Sequence, residues 1–221
     1  MTSVIALMTI APAAVAAGLL LLKSAGLTFA LFHGGVCLLV PLSDMFIHRR
    51  PHGQFLRSCG FIINPRERLS SVLWGLAAFA LVFLFFMLFH HSIWDSAHIS
   101  RVISLWGVHL INPFSFVAMM VLGNAFLEEF FWRGYIIGKL SKLASNRAVI
   151  LLSAAFYASY HTITTGVLFS LPYALISSVS VFAAGIIWGS IRLRTGSLLF
   201  PVVTHLFVDL AVMAAYLTYL A

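Results

Sequence analysis

Residues 70–92 read SSVLWGLAAFALVFLFFMLFHHS, a run without a single Asp, Glu, Lys or Arg. A helix rises 1.5 Å per residue, so about 20 mostly apolar residues cross a hydrocarbon core of roughly 30 Å. This stretch has that length and that composition, and it decides the fold class. Six further apolar runs lie around it, at residues 4–22, 25–43, 113–138, 147–162, 170–191 and 197–219. All are expected to be helical, because lipid offers no partner to an exposed backbone amide. The run 147–162 is the shortest. Residues 96–110 mix polar and apolar positions and read as a short interfacial helix or a loop. The prediction is an all-α polytopic transmembrane bundle of about seven spans. Residues 1–112 supply N-terminal helices and a cytoplasmic loop, and residues 113–221 supply a helix bundle that carries the chemistry.

The composition agrees. Hydrophobic residues make up 62 % of the 221 residues and charged residues 9 %, against roughly 25 % charged in soluble domains. Such a chain cannot cover a water-facing surface. The net charge of +7 does not mark a nucleic-acid binder, because no basic patch interleaves with surface aromatics. Cys37 and Cys59 form no CxxC and read as two unpaired thiols. Residues 4–22 lack the basic flank of a signal peptide, since no Lys or Arg precedes Lys23, and are expected to be a retained first span.

Most of the positive charge fixes topology. With alternating sides, Arg49, Arg50, Arg57, Arg66, Arg68, Lys139, Lys142, Arg147, Arg192 and Arg194 fall on one face, and only Lys23 and Arg101 on the other. The positive-inside rule makes the first face cytoplasmic and puts the N-terminus there. The loop 44–69 reads as an Arg-rich connector lying near anionic lipid.

The chain holds only six acidic residues. Asp44, Glu67 and Asp95 are expected in loops. Glu128, Glu129 and Asp209 fall inside apolar runs, where a charge costs at least roughly 2.5–3.5 kcal/mol and marks a functional site by default. His161, His205 and Arg133 share that position. From the basic end of each run, Glu128 lies about 16 Å deep, His161 about 21 Å, His205 about 12 Å and Asp209 about 18 Å. Three helices therefore carry polar groups to a similar depth.

Glu129 and Arg133 stand four apart, acid first, and are expected to pair. Glu128 points about 100° away and stays free of Arg133. His205 and Asp209 are also four apart and face the bundle together. A buried carboxylate with two imidazoles suits hydrolysis. Glu128 would act as general base on a water held by His161, and His205 with Asp209 would stabilise the oxyanion. An ionised Asp209 would repel that oxyanion unless it were protonated, oriented His205 or bound a metal. Glu128, His161 and His205 also form a candidate ligand set for a divalent metal such as zinc. The residues leave both mechanisms open, and the metal-free one is placed slightly ahead.

Glu128-Glu129-Phe130-Phe131-Trp132-Arg133-Gly134 resembles the EExxxR motif of the CPBP membrane proteases, also called the CAAX prenyl protease 2 or Abi family. The family's FxxxH is matched at His161, with Tyr157 in place of the Phe. Its HxxxN is matched by His205-Leu206-Phe207-Val208-Asp209, with Asp in the last place. Arg194-Thr195-Gly196-Ser197-Leu198, running to Pro201, resembles the lead into that last motif. The resemblance spans about residues 113–213. It implies an intramembrane endopeptidase in which Glu128 and His161 activate water. His205 and Asp209 then serve the oxyanion or a metal, and Glu129, Arg133 and Tyr157 support. Family members cleave tails of prenylated proteins, or peptides and membrane proteins in bacteria. The partners implied are the bilayer and a membrane-associated protein or peptide substrate, in a multi-pass protein of the plasma membrane.

Two other classes fit parts of the pattern. Buried Glu, His and Asp also serve proton- or ion-coupled transporters, but no inverted repeat is visible. A non-catalytic membrane scaffold leaves the shared depth unexplained. Gly185 and Gly189 read as a close-packing pair. Trp132 and Trp188 read as interface anchors. His33, His90, His91, His98 and His109 read as interfacial or packing residues.

Overall fold

The computed structural model describes residues 1–62, 64–93 and 95–220. The Arg66 side chain, counted above among the loop charges, lies outside the described residues. Helix α1 spans Thr2–Leu21 and α2 Ala25–Ile47. A short α3, His52–Ser58, leads into α4, Pro65–Ile93. After α5, Ser96–Leu105, come α6, Pro113–Leu140, α7, Asn146–Leu168, α8, Leu171–Thr195, and α9, Leu199–Tyr219. No strand occurs among the described residues. The all-α bundle expected from the sequence is the fold.

Six helices, α1, α2, α4, α6, α8 and α9, are long and apolar enough to cross a membrane. The run expected at 147–162 forms the longer α7, whose 23 residues span about 34 Å. It falls short on composition, not on length. Ser153, Tyr157, Ser159, Tyr160, His161, Thr162, Thr164 and Thr165 make it the most polar of the long helices, and neighbours cover its buried face. α7 packs chiefly on α8 and also on α1, and α4 packs on α9. Serine and threonine hydroxyls on α7 return to carbonyls three or four residues back, as Thr162 does to Ala158 at 3.0 Å. That satisfies them without a partner helix.

Several helices are not uniform. Residues Ala30–Leu39 of α2, and Met119–Asn124 and Phe130–Ile136 of α6, are π-helical. Such turns carry i→i+5 bonds and recur at functional sites. α8 ends at Gly196, whose φ of 74° closes the helix in the left-handed region that glycine tolerates.

Two loop expectations change. Asp44 lies in the last turns of α2 and pairs with Lys139 at 2.8 Å and Arg50 at 3.6 Å. Glu67 lies in the first turn of α4, where an acid suits the helix dipole, and accepts from Asn64 at 3.0 Å. Asp95 does sit outside a helix and caps α5 through the His98 amide at 2.9 Å. The connector after α2 is exposed over much of its length but is anchored into the bundle at its end. Phe55 and Cys59 are buried, and the Cys59–Ile62 backbone is stitched under α8 and α9. Arg192 donates to the Ser58 carbonyl at 2.9 Å, and the Leu198 amide to Gly60 at 2.9 Å. Both cysteines are free and buried. Burial pushes the Cys59 thiol up to about 11.

Candidate active site

The site begins at two adjacent acids on α6 that part company. Glu129 is fully buried. One of its oxygens, Oε1, meets Arg133 Nη1 at 3.0 Å and His205 Nδ1 at 3.0 Å. The expected Glu129–Arg133 pair is therefore present, and His205 joins it. The Arg133 guanidinium lies 4.1 Å from the Tyr157 ring centre and 5.1 Å from that of Trp188. Desolvated cation–π contact offsets part of the cost of burying that charge. Gly185 makes room for it. A Cβ there would stand 3.0 Å from Ala154 Cβ and 3.4 Å from Arg133 Nη2. The expected close packing at Gly185 thus also serves the arginine.

His205, in the second turn of α9, connects both halves. Its Nδ1 faces Glu129, and its Nε2 lies 3.5 Å from Asp209 Oδ1 and 3.5 Å from the Tyr157 hydroxyl. Carboxylate oxygens stand at both ring nitrogens, an arrangement that a doubly protonated ring satisfies. Trp188 stacks on the imidazole at 4.6 Å and Trp132 stacks on Tyr160 at 6.2 Å. These tryptophans are buried and are walls of the site. The expectation of interface anchors is overturned, because aromatic contacts inside the bundle take up both rings.

Glu128 is 1 % exposed and has no contact with Arg133. Its Oε1 faces His33 Nε2 at 3.6 Å, and its Oε2 has no hydrogen-bond partner among the described residues. His161 lies within electrostatic reach of Glu128 and of His205. Its Nδ1 sits 3.0 Å from the Tyr157 carbonyl. A carbonyl only accepts, so Nδ1 carries the proton and Nε2 keeps a free lone pair. Tyr157 and Tyr160 flank the ring at 4.7 and 4.4 Å.

Two residues escaped the reading from sequence. His33, on α2, is buried beside Glu128 and is no packing histidine. Asn124 accepts from His33 at 2.8 Å and donates to Asp209 at 2.9 Å. The signal was available. His33 sits mid-span like the residues that were chosen, and Asn124 stands four positions before Glu128 on the same helix face. By contrast His98 bonds the Val167 carbonyl at 2.8 Å and His90 stacks on Tyr219 at 4.3 Å, as packing residues do.

Among the described residues no three His, Cys, Asp or Glu side chains form a group able to hold a metal ion. Both His205 nitrogens face other groups, and so does His161 Nδ1. Of the set Glu128, His161 and His205, only His161 Nε2 and Glu128 Oε2 are left unpartnered, short of the three protein ligands of a catalytic zinc. The set Glu128, His161 and His205 does not fit a divalent metal as placed.

A cavity of about 490 Å³ opens at the charged ends of α6 and α8, lined by Arg50, Lys139, Lys142 and Arg192 among others. It does not include Glu128, His161, His205 or Asp209. The partly exposed edge of the site is formed by His161 and by Asp209, whose side chain is 15 % exposed.

Residues 110–211 match the family model described as Type II CAAX prenyl endopeptidase Rce1-like. This stretch is similar to an Rce1-like domain. It contains Glu128, Glu129, Arg133, Tyr157, His161, His205 and Asp209. The Rce1-like match, with the spans around it, makes the chain an integral membrane protein carrying a protease-family domain. Neither a curated protein nor a solved structure matches the chain.

Proposed function

We propose that this chain is an intramembrane endopeptidase that hydrolyses peptide bonds in membrane-associated proteins or peptides, with Glu128 activating the water. The observation that supports it best is the meeting of Glu128, His161, Tyr157, His205 and Asp209, from three helices of the Rce1-like domain, around one buried carboxylate. C-terminal tails are the substrate class in view. The charge bias supports a cytoplasmic N-terminus, in a multi-pass protein of the plasma membrane.

Glu128 Oε2 takes one proton from water, and the His161 Nε2 lone pair accepts a hydrogen bond from the other. The hydroxide oxygen bonds to the scissile carbonyl carbon. The oxyanion that forms takes hydrogen bonds from the Tyr157 hydroxyl and His205 Nε2. Glu128 then returns its proton to the leaving amine as the C–N bond breaks. Asp209, held by Asn124, orients His205, and the repulsion foreseen for a free carboxylate is relieved by that role. Tyr157, where the family pattern has Phe, adds a donor to the site. Glu129 and Arg133 hold His205 from the far side.

The test is cleavage of membrane-tethered peptide tails by purified wild type and Glu128→Gln in nanodiscs, with and without chelator. Loss of a general base costs about 10²- to 10⁴-fold, and the isosteric variant is expected to keep the wild-type melting temperature. Tails cut equally by both proteins, or by neither, would reject the reading. Loss of wild-type cleavage in chelator, restored by zinc, would reject the metal-free route alone.

A further inference from the structure

The family match begins at residue 110, but the polar cluster does not. His33 reaches into it from α2, its ring stacked on Phe29 at 4.1 Å and edge-on to Phe32 at 4.6 Å. Those contacts leave the imidazole little freedom. Its Nε2 lies 2.8 Å from Asn124 Oδ1 and 3.6 Å from Glu128 Oε1.

The direction of each hydrogen bond follows from the far end of the chain. A carboxylate only accepts, so across the 2.9 Å contact Asn124 Nδ2 donates to Asp209 Oδ2. Asn124 Oδ1 is left to accept, and His33 Nε2 must carry the donating proton. The same N–H leans toward Glu128 Oε1. Asn124 and Glu128 are four apart, so one face of α6 presents both to His33. The helices are also widened here. His33 lies in the π-helical part of α2, and Asn124 closes one in α6 just before Glu128.

We propose that His33 and Asn124 are positioning residues for the hydrolytic site, which therefore extends beyond the family domain to α2. The proposal rests on Glu128 being the general base. The His33 N–H, held by Asn124 at 2.8 Å, keeps its positive end 3.6 Å from Oε1 and draws that oxygen by electrostatic attraction, so that Oε2 is the oxygen that meets water. Asn124 ties that carboxylate to the one that orients His205, and the two acids keep a constant spacing through a neutral amide. Without the His33 N–H the Glu128 carboxylate is free to turn, and a misplacement of about 1 Å costs on the order of 100-fold.

The test uses full-length His33→Phe, His33→Gln and Asn124→Leu in nanodiscs with a tail that the wild type cuts. Phe fills the space and offers no donor, whereas Gln ends in an amide N–H at nearly the reach of Nε2. Turnover by His33→Phe and Asn124→Leu is expected to fall on the order of 100-fold, with KM little changed because the effect is on the chemical step. His33→Gln is expected to recover much of that loss. Melting temperatures separate this from misfolding, and Asn124→Leu carries the test if His33→Phe does not fold. Wild-type turnover by His33→Phe, or equal losses in Phe and Gln variants, would reduce His33 to a packing residue. If the wild type cuts, Glu128→Gln does not and His33→Phe does, this proposal alone fails. If Glu128→Gln matches the wild type, the protease reading fails before it.

Discussion

Helices α4 and α6 are nearly the same length as spans, 27 and 28 residues, and they solve opposite problems. In α4 the most apolar window is 6 % buried, with a mean hydropathy of 2.6; in α6 the figures are 39 % and 1.4. The more apolar helix is the less buried one. In water the order would be reversed. Where lipid is the solvent, apolarity marks the outside, and the interior is where polarity is afforded partners. α7 carries this further, since its polarity drops it below what a lone span tolerates. The largest effects should therefore come from disturbing polar pairs inside, and the smallest from changes of shape.

The largest stability effect is expected at Glu129. Glu129→Gln leaves Arg133 buried over Tyr157 and Trp188 with no carboxylate at its 3.0 Å contact. Breaking such a pair costs about 3–5 kcal/mol, seen as a large fall in melting temperature in detergent. Glu129→Gln with Arg133→Met should recover part of it, because no charge is then orphaned. An unchanged melting temperature for the single variant would mean that water reaches Arg133. The neighbouring Glu128→Gln makes the comparison sharp, since Oε2 of Glu128 holds nothing in place and its loss should touch activity alone.

Next comes the lipid face. Leu81 on α4 is 71 % exposed. Leu81→Arg should cost roughly 2.5–3.5 kcal/mol, the insertion penalty for a charge mid-span, while Leu81→Phe should leave folding and yield unchanged. Equal behaviour of the two in membrane-insertion and melting assays would mean that α4 meets protein instead of lipid.

The same contrast explains what could be read from sequence. Spans such as 70–92 declare themselves by hydropathy, and the acids of α6 and α9 by their cost in that setting. The Glu129–Arg133 and His205–Asp209 contacts follow from i, i+4 spacing on a single helix. His33 was legible by the same argument from cost, but its partner comes from another helix, and no spacing rule links residues 33 and 128. Trp132 and Trp188 were misread for a related reason. Position near a helix end suggests an interface, whereas the direction of each ring depends on how α6, α7 and α8 pack. The π-helical turns shift those directions again and leave no mark in composition.

The finest test concerns packing. Gly185 on α8 and Gly166 on α7 are both glycines within long helices, yet their surroundings differ. A Cβ at Gly185 would meet Ala154 on α7 at 3.0 Å, while at Gly166 nothing lies within 4 Å. Gly185→Ala must push α8 away from α7, at about 1–3 kcal/mol for overpacking. Trp188, three residues on, would move with it and loosen its stack on His205, so activity should fall together with melting temperature. Gly166→Ala meets no neighbour and removes backbone freedom from the unfolded chain, so it should stabilise by about 0.5–1 kcal/mol. A loss at 185 with a gain at 166, measured side by side in the same detergent, would place the tight contact at the arginine. Gains at both would show that α7 and α8 pack more loosely there than the 3.0 Å approach requires.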